Sequence, residues 1–326
     1  MYLATVDENG EDGCAVVALD GKTGKIMWRT PVDYSVRNTI VVSEGHIFAQ
    51  DISGALYMID ATSGKLIKRH ELGIEGLPVL DDGIATKDGI VYAGSGKALN
   101  AIDAKTGTLL WKGNASRGEG TVSTITVTDN NILVQGVQWT GLFGTDTRYG
   151  ALRWKNFNDG LRFCSASPSA HGSLLYTIGE NSFYILDAQT GKVAVKKLMG
   201  KTRMEVPSTP LLTSDAIIFG TGDKGLIALD NKTLEEKWQF GTGRSLVFTS
   251  PYTHPGRGDQ TVSTSPVLSG NTVYFGASDG CVYGVDRKTG KQTFRFDTGA
   301  PVFSSPAISG NSMVVSDFGG NVYLFK

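Results

Sequence analysis

A short sequence pattern recurs along the chain at nearly constant spacing. Its consensus is an apolar strand ending in Asp, two residues, Thr-Gly-Lys, two residues and Trp, and its first copy occupies residues 19–28. Successive copies lie 40 to 43 residues apart, except for a last interval of 56 residues. The aspartates of the seven copies are Asp20, Asp60, Asp103, Asp146, Asp187, Asp230 and Asp286. A strand-rich repeat of about 40 residues predicts an all-β propeller with one four-stranded antiparallel blade per repeat.

The pattern describes a tight turn followed by a docking residue. The aspartate carboxylate accepts backbone N–H groups two residues on, as in an Asx-turn. Glycine four positions after the aspartate supplies a positive φ, and the sixth copy departs, with Leu234 in that place. Eight positions after the aspartate, five of the seven copies carry an aromatic residue, which we expect to pack between neighbouring blades. These residues are Trp28, Trp111, Trp154, Trp238 and Phe294.

The strand count predicts eight blades in one domain, residues 1–326. The seventh repeat divides into strands 264–268, 272–277, 281–285 and 292–296. Equivalent second and third strands occur eight times, but the first repeat lacks its innermost strand and the eighth lacks its outermost strand. Because Met1 aligns with Met313, inside a repeat, we expect the chain to be a fragment of a longer protein.

Composition excludes several classes of function. The chain has 31 basic and 32 acidic side chains, so it lacks the basic excess of a nucleic-acid-binding protein. No apolar run is long enough to cross a bilayer, and the N-terminus has no signal-peptide pattern. The cysteines and histidines lack the spacing of a disulfide framework or a metal site. They are Cys14, Cys164, Cys281, His46, His70, His171 and His254.

The repeat resembles the tryptophan-docking motif of the pyrroloquinoline-quinone-like eight-bladed propellers. The first copy carries the resemblance, with Val17-Ala18-Leu19-Asp20 followed by Thr23-Gly24-Lys25 and Trp28. The family includes quinone-dependent alcohol dehydrogenases, the periplasmic scaffold lipoprotein of outer-membrane β-barrel assembly, and propeller modules that follow bacterial calcineurin-like metallophosphoesterase domains. Residues 209–238 look most similar to the last group. The resemblance implies a bacterial protein that is exported or periplasmic.

The resemblance also offers two enzymatic readings, and the residues disfavour both. Quinone dehydrogenases of the family use adjacent cysteines above the cofactor, a tryptophan floor and a calcium ion. This chain has no Cys-Cys pair, and four of its five tryptophans are docking residues. The metallophosphoesterase site needs clustered His and Asp ligands, which the sequence does not contain. We therefore expect no catalytic residue, no metal ligand, no pyrroloquinoline quinone and no calcium in this chain.

A candidate binding site lies where the outermost strand of one blade crosses to the innermost strand of the next. These crossovers lead to the mouth of the axial channel, and five of the seven place an arginine just before the innermost strand. Arginine suits carboxylate, sulfate or phosphate groups. The alternative is that glutamates pair with the arginines and close the mouth with salt bridges. The crossover residues concerned are Tyr34, Arg37, Glu75, Arg117, Glu119, Arg162, Arg203, Glu205, Arg244, Pro301 and Phe303.

Two further features are expected on the same face. The interval of 56 residues holds a long crossover with Tyr252, His254 and Arg257. These side chains suit an acidic sugar, or proton abstraction by His254, and the alternative is a solvated loop. Trp139 stands in a turn where other blades have acidic residues. It is either a stacking surface for a sugar or partner side chain, or it packs under the neighbouring crossover.

Together these patterns favour a non-catalytic recognition or scaffold propeller that binds a partner protein or ligand at an arginine-rich channel mouth. The alternatives are an acidic-glycan-binding or lyase-type propeller and the C-terminal module of a metallophosphoesterase. The scaffold hypothesis predicts an exposed apolar patch on the crossover face, whereas the glycan hypothesis predicts unpaired arginines. A lyase requires His254 to face Tyr34 or Tyr252 across one pocket.

Overall fold

In the part of the chain that the structure describes, thirty short strands pair in chain order into eight antiparallel sheets. Six sheets have four strands and two have three. The computed structural model describes residues 1–6, 13–72, 83–95, 98–113, 123–137, 141–161, 165–249 and 259–326, and no helix occurs within these ranges. The chain is an all-β, eight-bladed propeller, so the fold predicted from the repeat is confirmed.

The chain divides into two compact units. One consists of Met1–Phe163, Ala170–Leu174 and Asp187–Lys192, and the other of Cys164–Ser169, Leu175–Leu186 and Val193–Lys326. The first four blades belong to the first unit. Their strands are β1 (Tyr2–Ala4), β2 (Ala15–Leu19) and β3 (Ile26–Pro31); β4 (Val41–Ser43), β5 (His46–Gln50), β6 (Ala55–Asp60) and β7 (Leu66–Glu71); β8 (Ala85–Lys87), β9 (Ile90–Ser95), β10 (Ala98–Asp103) and β11 (Leu109–Gly113); and β12 (Thr126–Val127), β13 (Ile132–Val137), β14 (Gly141–Asp146) and β15 (Leu152–Asn156).

The remaining strands form the fifth to eighth blades, and the last three of these blades belong to the second unit. The strands are β16 (Ser169–His171), β17 (Leu174–Gly179), β18 (Ser182–Asp187) and β19 (Val193–Leu198); β20 (Leu211–Leu212), β21 (Ala216–Gly220), β22 (Leu226–Asp230) and β23 (Glu236–Phe240); β24 (Val267–Ser269), β25 (Thr272–Gly276), β26 (Cys281–Asp286) and β27 (Gln292–Asp297); and β28 (Ala307–Ser309), β29 (Ser312–Ser316) and β30 (Val322–Phe325).

The core lies between neighbouring blades. The third strand of the second blade, β6, is buried along nearly its whole length and reads as a continuous apolar run, as a strand covered on both faces should. Ile47 and Tyr57 of this blade pack in one cluster with Val16 and Val32 of the first blade. The outermost strand, β7, is exposed at most positions. Most residues of this outermost strand therefore face solvent.

The Asp-Thr-Gly turns have the predicted geometry. The Asp20 carboxylate accepts the N–H groups of Lys22 and Thr23 at 3.0 and 2.7 Å, and Gly24 has a φ of 69°. Leu234 keeps the same turn in the sixth blade with a φ of 58°, a conformation that disfavours residues with a Cβ atom. Beside each of the seven turns the outermost strand carries a β-bulge, which the sequence did not indicate.

The docking tryptophans pack against the glycine turn of the next blade, as predicted. A Cβ atom on Gly64 would lie 2.5 Å from the Trp28 ring, and one on Gly150 would lie 2.6 Å from the Trp111 ring. Contact this close leaves room only for glycine. The repeat therefore joins four blades to the next one through a tryptophan ring and a glycine, at Gly64, Gly150, Gly191 and Gly290.

One predicted strand boundary is wrong. The innermost strand of the seventh blade begins at Val267 rather than at Thr264. Pro266 has no N–H group to donate to a ladder. The Thr264 hydroxyl instead accepts Gly276 N at 3.1 Å and donates to Gly276 O at 2.7 Å. A side chain thus replaces the backbone pairing at this point.

Candidate binding face

Turns and crossovers hydrogen-bond to one another at one end of the blades in the second unit. Leu246 N donates to Ser278 O at 3.0 Å, and Phe318 N donates to Pro301 O at 2.8 Å. Because consecutive strands run in opposite directions, this end lies opposite the Asp-Thr-Gly turns of the same blades. We call it the crossover face. Its described residues are 199–210, 221–225, 241–249, 277–280, 298–306 and 317–321.

Arg203 and Glu205 lie together on the crossover face. The half-buried Arg203 side chain donates from Nη2 to Gly222 O at 2.5 Å, and its backbone N donates to Asp223 Oδ1 at 3.1 Å. Burial raises the pKa of Glu205; the positive charge of Arg203 opposes this shift, and the negative charge of Glu180 adds to it. The guanidinium is therefore held by a backbone carbonyl and also stabilises the Glu205 carboxylate.

Arg244 projects from a backbone that Asp279 fixes. The Asp279 carboxylate accepts Gly243 N at 2.6 Å, Cys281 N at 3.0 Å and the Tyr283 hydroxyl at 2.6 Å. Burial, together with the hydrogen bond to Asp279, raises the pKa of Tyr283, so the phenol stays protonated and donating. The Arg244 side chain itself is exposed.

Tyr34 and Arg37 lie on the crossover from β3 to β4, in the first unit, and both are exposed. Asp33, beside Tyr34, donates its N–H to the Tyr57 hydroxyl at 3.0 Å and accepts Arg69 Nη2 at 2.7 Å. Burial raises the pKa of Tyr57 to about 12. These bonds fix the crossover on which Tyr34 stands.

Of the other predicted crossover residues, Pro301 is buried and Phe303 is exposed, and the rest lie outside the described part of the chain. Tyr34 and Arg37 belong to the first unit, and Arg203, Glu205 and Arg244 belong to the second. A binding role for any of these residues, and a ring of salt bridges at the channel mouth, stay predictions. The undescribed residues are Glu75, Arg117, Glu119, Trp139, Arg162, Tyr252, His254 and Arg257.

An exposed apolar patch lies on the crossover face, and of its residues sequence reasoning had singled out only Phe303. Leu246, Phe248 and Phe318 are 56%, 69% and 75% exposed, respectively. The Phe318 ring contacts the ring of Phe303, with centroids 5.7 Å apart and planes at 83°. We call these four residues, with the exposed Val247, the apolar face patch. Large exposed apolar side chains grouped on one face mark interaction surfaces.

Short contacts connect the parts of this patch. A Cβ atom on Gly280 would lie 3.1 Å from Leu246 Cδ1 and 3.3 Å from the Ala300 backbone. A Cβ atom on Gly319, next to Phe318, would lie 3.3 Å from Ala300 Cβ. One signal was available in the sequence: Phe318 stands in a turn between an aspartate and two glycines, where an aromatic ring has no neighbouring strand to pack on.

The metal-ligating and thiol side chains of the described residues do not form a cluster. They contain no group of three or more His, Cys, Asp or Glu side chains placed to hold a metal ion. Cys14 and Cys281 are buried free thiols, and burial raises the pKa of Cys281. Within the same residues, no helix is long and apolar enough to span a membrane. That the chain carries neither quinone nor calcium stays a prediction.

Fold and repeat define the class of protein: an eight-bladed propeller whose blades are joined by tryptophan-docking turns. A family model described as outer membrane protein assembly factor BamB matches residues 2–137, 52–165 and 140–325. The chain belongs to this family of pyrroloquinoline-quinone-like propellers, and the resemblance drawn from the repeat is confirmed.

Curated relatives match parts of the chain. Quinoprotein alcohol dehydrogenase PedE of Pseudomonas putida is 42% identical over 74 residues, which are 22% of this chain and 11% of that enzyme. Outer membrane protein assembly factor BamB of Moranella endobia is 25% identical over 195 residues, 56% of this chain and 46% of that protein. The chain thus spans less than half the length of either relative.

Solved structures share the fold. The computationally designed protein Ika8 superposes with a TM-score of 0.74 at 16% identity, over 99% of this chain and 92% of that chain. BamB from Moraxella catarrhalis superposes with a TM-score of 0.69 at 18% identity, over 99% of this chain and 92% of that chain. Quinohemoprotein alcohol dehydrogenase from Comamonas testosteroni superposes with a TM-score of 0.72 at 15% identity, over 98% of this chain and 69% of that chain. A designed protein, an assembly factor and an enzyme share this architecture, so function has to be argued from the site.

Proposed function

We propose that this propeller is a non-catalytic scaffold that binds a partner protein through its crossover face. The apolar face patch carries the proposal, because the scaffold hypothesis places an exposed apolar patch on that face. Phe248 and Phe318 expose more than two thirds of their surface. Aromatic side chains of this kind are the usual anchors of protein interfaces.

The charges on the face favour a protein over an acidic glycan. The Arg203 side chain is half-buried, and its Nη2 donates to the carbonyl of Gly222, so it is less open to an incoming anion than an exposed arginine. Arg244 is exposed two residues from Leu246, so it can bind a carboxylate beside an apolar contact. We therefore expect the partner to present a segment that combines apolar side chains with an acidic one.

Family membership agrees with this proposal. The matching family model and the relative from Moranella endobia both carry names that refer to outer membrane protein assembly. A protein of this kind would act outside the cytoplasm, and we propose the same for this chain. Its partner remains to be identified by experiment.

Site-specific photo-crosslinking tests the proposal. A photoreactive phenylalanine analogue is placed at Phe318 and, as a matched control, at Tyr149, which is 74% exposed on an Asp-Thr-Gly turn. We expect a discrete protein adduct from position 318 and none from position 149 when the chain is expressed in its natural host. The captured protein is then identified and purified.

Binding of that purified protein decides the outcome. Leu246→Ser with Phe318→Ser should weaken binding about tenfold or more, whereas Tyr149→Ser should leave it unchanged. Equal losses in both variants would contradict the proposal. A saturable thermal shift with an acidic oligosaccharide, or with pyrroloquinoline quinone plus calcium, would favour the glycan or dehydrogenase alternative instead.

A further inference from the structure

Exposed apolar pairs occupy the β-bulges of the first three blades. Each pair lies six and seven positions after the turn aspartate, where the outermost strand begins. Their exposed fractions range from 41% to 64%. We call these six residues the apolar rim, and they all belong to the first unit. They are Ile26 and Met27, Leu66 and Ile67, and Leu109 and Leu110.

The fold does not require apolar side chains at these positions. The sixth blade has Glu236 and Lys237 at the equivalent places, and the seventh has Gln292 and Thr293. Both of these blades carry the same bulge in the same register. Because charged and polar residues build the bulge equally well, the apolar pairs of the first three blades indicate a function at the surface.

Hydrogen bonds between blades link the three apolar pairs of the rim. Thr30, just after Met27 and the docking residue, donates to Gly64 O at 2.5 Å, on the turn that leads into Leu66. Lys68 Nζ, directly after Ile67, donates to Gly107 O at 2.6 Å, on the turn that leads into Leu109. Each apolar pair is thus tied to the turn that precedes the next pair.

Positive charge accompanies the apolar rim. Lys25 and Lys65 directly precede the first and second pairs, Lys105 lies on the turn before the third, and all three lysines are exposed. The turn aspartates stay ionised, because hydrogen bonds such as those from Thr106 to Asp103, at 2.7 and 2.8 Å, lower their pKa. With Lys22, which is also exposed, the three turns carry four lysines against three aspartates, so a positive excess remains. The surface therefore complements an anionic surface that also accepts apolar side chains.

We propose that the apolar rim binds the surface of a lipid bilayer that contains anionic phospholipid. Apolar side chains on separate turns, each near a lysine, suit shallow insertion between acyl chains while the lysines contact phosphate groups. Protein hot spots, by contrast, cluster at the centre of one packed patch. The rim lies at the end of its blades opposite to the crossovers, so the proposal is independent of partner binding at the crossover face.

Vesicle flotation tests the proposal with a variant whose replacement residues already occur at the equivalent bulge of another blade. The three apolar pairs are replaced by the Gln-Thr pair of the seventh blade. These substitutions are Ile26→Gln, Met27→Thr, Leu66→Gln, Ile67→Thr, Leu109→Gln and Leu110→Thr. We expect the wild-type chain to bind phosphatidylcholine vesicles only when they contain phosphatidylglycerol. The rim variant should bind the phosphatidylglycerol-containing vesicles at least about tenfold more weakly.

Two further variants keep the test decisive. Lys25→Gln with Lys65→Gln leaves the apolar side chains in place and should weaken binding about fivefold for each lysine, an effect that added salt should reproduce. Leu246→Ser with Phe318→Ser, on the crossover face, should bind vesicles as the wild type does. Circular dichroism and thermal melting confirm that each variant is folded.

The proposal is overturned by any of three results: no binding of the wild type to anionic vesicles, equal binding to neutral vesicles, or unchanged binding of the folded rim and lysine variants. If the wild type does not bind vesicles, and the rim variant no longer binds a purified protein that the wild type binds, the rim is a protein interface. Such a result would leave the crossover-face proposal untouched.

Discussion

Replacing Trp28 by Phe should cost less folding free energy than replacing Trp111 by Phe, although both residues hold the same place in the repeat. Both indole rings are half-buried and pack on a turn glycine, Gly64 or Gly150. They differ in one hydrogen bond. Trp111 Nε1 donates to Thr147 O at 2.9 Å, whereas Trp28 Nε1 is buried and has no partner within the described part of the chain.

A neighbouring tyrosine causes this difference. In the first blade the Tyr2 hydroxyl donates to Ala61 O at 2.9 Å, the carbonyl equivalent to Thr147 O. In the third blade the equivalent Tyr92 interacts with the side chain of Thr147 instead, which leaves the carbonyl to Trp111. Ala61 has no hydroxyl to offer, so Tyr2 takes the carbonyl.

The size of the difference follows from hydrogen-bond energetics. A net intramolecular hydrogen bond contributes about 1 kcal/mol, and a buried unpaired donor costs about 1 to 3 kcal/mol. Trp111→Phe removes the hydrogen bond to Thr147 O. Trp28→Phe instead removes a buried donor that has no partner among the described residues. Both variants lose the same packing contacts of the indole ring. Trp111→Phe should therefore be more destabilising by about 2 kcal/mol. With an unfolding entropy of about 2.1 cal/mol/K per residue, this corresponds to a Tm about 3 °C lower for a chain of 326 residues.

Calorimetry of both variants and of Ala61→Thr checks this account. The threonine hydroxyl gives Tyr2 a second acceptor and frees the carbonyl for Trp28. We expect Ala61→Thr to raise the Tm, and Trp28→Phe in that background to cost as much as Trp111→Phe. Equal Tm losses for the two Phe variants in the native background, or a larger loss for Trp28→Phe, would refute the hydrogen-bond explanation.

Two further predictions concern the repeated turns. Gly64→Ala should destabilise the fold by about 3 kcal/mol, because position 64 has a positive φ and the new Cβ atom would lie 2.5 Å from the Trp28 ring. Gly24→Ala also places a Cβ atom at a positive φ, but no atom of the described residues lies within 4 Å of it, so this variant should cost about 1 kcal/mol. Similar losses of Tm in the two variants would contradict this explanation. Hydrogen bonds from Thr106 lower the folded-state pKa of Asp103, and hydrogen bonds within their own turns likewise lower the pKa values of Asp20 and Asp286. The stability that these ionised aspartates contribute is fully present above their unfolded-state pKa of about 3.9, and it is lost as the pH falls through their lower folded-state pKa values. The Tm of the wild type should therefore drop steeply below about pH 4. The Tm of Asp103→Asn should drop less steeply, because one such aspartate is missing.

The sequence alone determined the repeating architecture, because each blade is specified by local interactions. A carboxylate that accepts N–H groups two and three residues on, and a glycine with positive φ, act within one turn. Seven such turns, the first six of them 40 to 43 residues apart, could be read without knowing which blades are neighbours. Even Leu234 keeps the turn, since hydrogen bonds from the backbone of Lys232 and Thr233 to Asp230 remain.

Exposure and hydrogen-bond partnership were decided by tertiary structure. Leu99 and Leu109 belong to the same blade and are both strand leucines, yet Leu99 is fully buried and Leu109 is 45% exposed. Their difference depends on whether a neighbouring blade covers the strand. Trp28 likewise loses its acceptor to Tyr2, 26 positions away in the chain. Both candidate surfaces, the apolar face patch and the apolar rim, could be recognised only once packing between blades had shown which apolar residues stay outside the core.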